Sequence, residues 1–266
     1  MVVKSRSCLG SLCLVALVSC ALFAWMYESG QQLPNTGAQP RPKIGGVHGR
    51  YGNRSVSARP DRPAGGPDRE VTLVMHVAAK PFMVRNLYCT VLRSAVTFWP
   101  ARLWPIRLIM DEESEADHRW AGQLLSQARE LGLRLTVTYQ PLPAEDGLLA
   151  KPTFARSRGL GYQRQLWNTY FLDEYVGTPV LAYTDTDVML STPVTPEVIF
   201  SGDRLRVYVS DNGPNPGEMR ATLAATGKKM VGKPDPFPTY LWRDTVANCR
   251  KHIMTHLNVS DQHVST

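Results

Sequence analysis

The stretch Val180-Leu181-Ala182-Tyr183-Thr184-Asp185-Thr186-Asp187-Val188-Met189-Leu190 decides how this chain is read. It opens as a short continuous apolar run, the pattern of a strand covered on both faces, as in parallel sheets. It then delivers two aspartates at i and i+2, followed again by apolar residues. Adjacent carboxylates repel, and a hard divalent cation such as Mg²⁺ or Mn²⁺ removes that repulsion while keeping open positions for phosphate oxygens. The spacing alone is weak, because thirteen aspartates in 266 residues make a chance D-x-D commonplace. Its place at the carboxyl end of a buried strand gives it weight. The competing reading has one aspartate capping a turn and the other solvated.

Upstream, strand and helix signals alternate. Val71 to Val77 is an apolar, β-branched run that predicts a buried strand. Val84 to Phe98 carries Leu87, Val91, Ala95 and Phe98 at helical spacing. Ile106 to Met110 predicts a second strand, ending at Asp111. Ser114 is placed to cap a helix that runs to Leu131 and stops at Gly132. Leu133 to Tyr139 alternates as a third strand, and a Pro/Gly loop leads to Gly161 and a helix from Tyr162 to Tyr175. Strand four is Val180 to Tyr183. This β-α-β-α-β-α-β order predicts an α/β fold, a mostly parallel sheet with helices on both faces. Ligands of such sheets bind outside the carboxyl ends of the strands, so Asp111 and the stretch after Tyr183 belong to one rim. Further on, Leu205 to Val209 reads as another strand and Trp242 to Leu257 as a helix.

The first residues are of a different kind. From Cys8 to Tyr27 there are twenty uncharged residues, enough to cross a hydrocarbon core of roughly 30 Å as a helix. Lys4 and Arg6 precede the run, and no basic residue follows it until Arg41. The positive-inside rule then predicts a cytosolic tail (1–7), a signal anchor (8–27) and everything later across the membrane. A cleaved signal peptide is the alternative, with Ser19-Cys20-Ala21 as the cleavage site. Residues 28–69 hold eight Gly and six Pro among 42 and predict a disordered stem. The folded body is then 70–266.

The formal net charge of +7 is concentrated ahead of the body: residues 1–69 carry nine Lys/Arg against three acids, leaving 21 basic and 20 acidic residues in 70–266. A nearly neutral body is no footprint for a nucleic-acid backbone. Cys8, Cys13 and Cys20 fall in the apolar run. Cys89 and Cys249 are either one disulfide in an oxidising lumen or two buried thiols. Asn53-Arg54-Ser55 and Asn258-Val259-Ser260 are acceptor sequons, meaningful only in the secretory pathway.

LAYTDTDVML, preceded by GYQRQLWNTYFLDEY and lying behind an anchor and stem, resembles GT-A-type glycosyltransferases. More narrowly, it resembles nucleotide-diphospho-sugar transferases with a Gly-Tyr-x-x-Gln helix before an aspartate-rich strand end. The resemblance implies a Rossmann-type, GT-A-like domain over roughly residues 70–260. It implies Mn²⁺ or Mg²⁺ on Asp185 and Asp187, with Asp185 also touching the nucleotide-sugar donor. His76, Lys80 and Asp111 then line the nucleotide pocket, and Gln163 and Arg164 reach the donor from their helix; Arg164 has the alternative of a solvated face residue. The activity implied is transfer of a sugar from a nucleoside-diphosphate donor to a hydroxyl of a glycan, protein or lipid, in the Golgi or ER. Asp211 is the candidate general base, against a reading in which it starts a turn with Asn212-Gly213.

The family's further metal ligand, often His, has candidates in His252, His256 and His263, though His252 and His256 at i, i+4 also suit a plain surface face. About 80 residues follow Asp187, a short C-terminal part for such an enzyme, which leaves open a truncated form and a non-catalytic, membrane-anchored binding protein. A phosphatase of the haloacid-dehalogenase type also opens on strand plus D-x-D, but on its first strand and with a later acidic pair.

Overall fold

The computed structural model describes residues 69–141, 159–209, 213–214, 216–233 and 237–258, without the side chains of 159, 160, 162, 163 and 166. The tail, the anchor and all of the stem but Arg69 therefore lie outside the described residues, as do Asp211, His263 and the Asn53 sequon. Among the described residues, no helix is long and apolar enough to cross a membrane.

β1 (Val71–His76) is buried at all six positions, and such a strand forms only in the middle of a sheet covered on both sides. β2 (Ile106–Asp111) lies parallel on one flank, with Leu73 opposite Ile106 and His76 opposite Ile109. β3 (Leu135–Gln140) continues outward, with Asp111 opposite Gln140. The chain then crosses to the other side, where β4 (Val180–Tyr183) pairs parallel with β1 and Val74 faces Tyr183. β7 (Thr239–Trp242) closes that edge antiparallel to β4, giving the order β3-β2-β1-β4-β7. The direction of build-out reverses between β1 and β4, which opens a crevice at their carboxyl ends. The result is an α/β fold with a mostly parallel five-stranded sheet, compatible with a Rossmann-like arrangement.

Side chains alternate across the strands and so divide the core into two layers. Leu73, Met75, Leu108 and Met110 face α1 (Pro81–Asn86), the π-helical segment Leu87–Leu92 and α2 (Arg93–Phe98), together with α3 (Glu115–Glu130); Leu87, Val91, Ala95 and Leu124 fill that layer. Val74, Ile109 and Leu181 face α4 (Gly159–Tyr170), α5 (Leu172–Tyr175), α7 (Pro216–Thr226) and α8 (Arg243–Leu257), through Tyr170, Leu172, Ala225, Val246 and Ile253. Ser114 caps α3 by accepting from Asp117 N at 3.2 Å, and Gly132, at φ +70°, ends it in the left-handed region.

Some expectations shift. The first helix begins at Pro81, where a missing N–H costs nothing, and loosens into a π-helical turn halfway. The helix expected from Tyr162 starts at Gly159 and breaks at Phe171, whose φ of −116° leaves the helical region. The expected strand Leu205–Val209 shrinks to a hairpin, β5 (Phe200–Ser201) with β6 (Arg204–Leu205), turned at Gly202 (φ +61°); a short α6 (Pro196–Ile199) precedes it. Val207, Tyr208 and Val209 are exposed and join no strand of the five-stranded sheet, Val209 making only an isolated bridge.

Candidate functional site

At the carboxyl edge the strand ends are tied together from below by one buried carboxylate. Asp117, 1% exposed, accepts from Ala79 N at 2.6 Å through one oxygen and from Asp111 N at 3.1 Å through the other. It thereby fixes the exit of β1 against the exit of β2. The sequence reading passed over Asp117, since an acid in the first turn of a helix is ordinary.

Above it, Asp111 meets a histidine and an arginine. His76 Nε2 lies 3.1 Å from Asp111 Oδ1, and Arg164 Nε lies 2.7 Å from the same oxygen. The Arg164 contact is an ion pair by distance, its N–H direction falling outside hydrogen-bond geometry. The Arg164 guanidinium also donates to Glu113, at 3.0 Å for Nη2 to Oε2, and to the Gln140 carbonyl at 2.6 Å. Arg164 is 8% exposed, so it is no solvated face residue: it sews α4 to the ends of β2 and β3. Lys80 is exposed at the rim, with Nζ 3.5 Å from the point a Cβ on Gly161 would occupy. Burial by itself pushes the Asp111 carboxyl up; the His76 hydrogen bond and the charges of His76, Arg164 and Lys80 outweigh it and hold the carboxyl below its usual range. His76, Lys80, Asp111 and Arg164 are thus brought together. Gln163 lies on α4 next to Arg164, its side chain outside the described ones.

The D-x-D stretch leaves β4 on the neighbouring strand. Thr184 N still bonds to Val74 O at 3.0 Å, and the chain then turns, with Val188 N 3.5 Å from Asp185 O. The π-helical side holds the turn by its backbone: Thr90 Oγ1 donates to Thr186 O at 2.7 Å, and Ser94 Oγ accepts from Leu190 N at 3.0 Å. Asp185 is half-buried and Asp187 exposed. The Gln165 carboxamide donates to Asp185 Oδ1 and, at 3.2 Å, to the Tyr183 hydroxyl. Burial raises the Asp185 carboxyl above its usual range and repulsion by Asp187 adds to it, the Gln165 hydrogen bond opposing both. The two acids of this rim therefore differ. Asp111 is neutralised by the protein's own cations, whereas the groups acting on Asp185 are another carboxylate and a neutral amide.

Two hard carboxylates that pair with no cationic side chain among the described residues fit a divalent cation, and Mg²⁺ in particular is bound by one or two carboxylates with substrate phosphates completing the shell. Among the described residues, no group of three His, Cys, Asp or Glu side chains is arranged to hold a metal. His252 is half-buried and His256 exposed on one face of α8, their rings stacked at 6.4 Å between centroids. His252 Nε2 lies 2.8 Å from Thr226 O at the end of α7, and a Cβ on Gly227 would stand 3.0 Å from the His256 ring. Asn258 occupies the left-handed region (φ 53°) as the cap of α8, a local reason for asparagine there.

Cys89 and Cys249 are both free, Cys89 exposed and Cys249 buried with its thiol pushed up to about 12 by burial. They sit on elements packed against opposite faces of the sheet, which excludes a bond between them within one chain. The acidic motif follows the fourth strand in chain order, not the first as a haloacid-dehalogenase-type phosphatase requires.

No family model matches the chain, and no curated protein matches it. Among solved structures it is similar to S. aureus TarS, with a TM-score of 0.25 and 11% identity over 44% of this chain. The chain spans only 16% of that protein, and a likeness of this size carries no argument.

Proposed function

We propose that this chain is a metal-dependent glycosyltransferase that moves a sugar from a nucleoside-diphosphate donor to a hydroxyl of a glycan, protein or lipid in the secretory pathway. The observation that carries the reading is the contrast between the two acidic positions of one rim. Asp111 has its cations built in, while at Asp185, which lies with Asp187 at the crevice between β1 and β4, no cation acts among the described residues. A bound Mn²⁺ or Mg²⁺ there would offset the negative charge that develops on a nucleoside-diphosphate leaving group. The protein's own part is positioning. His76 and Asp111 present a preformed polar wall beside the crevice, Lys80 adds a mobile positive charge at the rim, and Gln163 is offered from the same helix as Arg164. Asp211 is the proposed base for the acceptor hydroxyl. The uncharged run 8–27 and its flanking charges support a single-pass anchor with the body in the lumen of the Golgi or ER.

The test is a thermal-shift screen against UDP-, GDP- and CMP-sugars with Mn²⁺ and with EDTA. A donor at 100 times its dissociation constant adds about 2.7 kcal/mol to stability. At least one donor is expected to raise the melting temperature only when metal is present. Absence of any such donor defeats the reading.

A further inference from the structure

Asp185 and Asp187 are held very differently, and the difference rests on Gln165. Its carboxamide nitrogen carries two hydrogens and places one on Asp185 Oδ1 and the other on the Tyr183 hydroxyl at 3.2 Å. Tyr183 ends β4 and is 7% exposed, so the amide is referenced to the sheet rather than to a loop. Gln165 is itself anchored through its neighbours. Arg164 is pinned by Asp111, Glu113 and Gln140, and the Thr169 hydroxyl donates to the Gln165 carbonyl at 2.9 Å. Asp187, by contrast, is exposed and makes no hydrogen bond or ion pair through its side chain among the described residues.

We propose that Gln165 is a positioning residue that locks Asp185 with Oδ1 turned inward, so that Asp185 meets a divalent cation through its other oxygen while Asp187 stays free to close on it. This rests on the metal-dependent reading above. A neutral amide suits the task where a lysine or arginine would not: it fixes the direction of the carboxylate without supplying the positive charge the ion is to bring. Holding one ligand rigid removes part of the ordering cost of binding, and partners of this kind are worth roughly 10–100-fold in metal affinity. Thr90 and Ser94 complete the support by fixing the backbone on either side of Asp187.

The experiment is a Mn²⁺ titration of the full chain, with free Mn²⁺ read by electron paramagnetic resonance up to millimolar concentrations, for wild type, Gln165→Met and Gln165→Asn. The methionine keeps the volume and removes the donor; the asparagine keeps the amide but withdraws it by one methylene. Both are expected to weaken Mn²⁺ binding roughly 10-fold or more. A glutamine with a merely structural role would lower the melting temperature in EDTA and leave the titration unmoved. If wild type binds Mn²⁺ and both variants bind equally well, the role of Gln165 is overturned and the metal reading stands. If wild type binds none, the metal reading fails and takes this inference with it. Should the methionine variant not fold, the asparagine variant decides alone.

Discussion

Replacing Arg164 by methionine tests whether the cluster around Asp111 holds the rim together. The substitution keeps the apolar stem of the side chain and removes the guanidinium. Asp111 loses an ion pair at 2.7 Å, and the Gln140 carbonyl loses a charged donor at 2.6 Å. Removing one partner of a buried pair costs about 3–5 kcal/mol, whereas the Gln140 carbonyl still accepts from Glu112 N at 3.0 Å and is not left unsatisfied. Asp111 keeps His76 and is partly exposed, so the lower part of that range applies, about 3–4 kcal/mol in all. The Glu113 arm is nearly half exposed and adds little, about 0–1 kcal/mol. For a body of this size the melting temperature then falls by about 8–12 °C. Equilibrium urea unfolding, followed by tryptophan fluorescence, measures the difference, with Glu113→Gln as the mild control. The sign of the pH dependence follows from Asp111. Its carboxyl is held below its unfolded value, so the stability it contributes is present above about pH 4 and is lost as the pH falls through the lowered value. The gap between wild type and variant is therefore expected to narrow in acid. A cost under about 1 kcal/mol at neutral pH, or a gap that widens in acid, refutes the reasoning.

Three further outcomes are expected. Asp185→Asn should raise the melting temperature in EDTA at neutral pH: the Asp185 carboxyl is raised in the folded state, so its ionisation opposes folding as the pH climbs through that value, while the amide oxygen still accepts from Gln165. The gain should vanish in acid, and the variant should lose stabilisation by Mn²⁺; a lower melting temperature at neutral pH contradicts the assignment. Asp211→Asn should abolish sugar transfer while donor binding stays within a factor of two or so, by the logic of an essential base; normal turnover removes Asp211 from the mechanism. In sealed microsomes the body should resist added protease until detergent is supplied, and digestion without detergent defeats the lumenal placement.

The order of strands and helices was legible because β4 is an unbroken apolar run and β1 and β2 are nearly so, broken within only by Thr72 and Arg107, and because Ser114 and Gly132 mark the ends of α3 by mechanisms written in single residues. β7 was not. Thr239–Trp242 is four residues long, runs directly into α8, and becomes a strand only because β4 leaves an edge to fill. The reverse happened at Leu205–Val209, where the apolar alternation enters only the short β5–β6 hairpin at Leu205 and Val207 to Val209 stay exposed. In the site, the D-x-D position could be read from its strand, but the relation of Gln165 to Asp185 spans twenty residues and exists only once α4 packs beside β4. Its one sequence signal is that Gln165 closes the Gly161-Tyr162-x-x-Gln pattern. Arg164 could be read either as a donor contact or as a face residue because nothing local announces Asp111 and Glu113 as its partners, 53 and 51 positions away.

The proposed role of Asp185 and Asp187 is to hold a divalent cation on a nucleoside diphosphate. Calorimetric titration with UDP and GDP, each with Mn²⁺ and with EDTA, tests it most directly, on wild type and Asp187→Asn. The account predicts metal-dependent binding of at least one nucleotide to wild type, weakened at least 10-fold in the variant, as expected when a ligand of the ion is lost. Binding that ignores both the metal and Asp187, or no binding of either nucleotide, contradicts it.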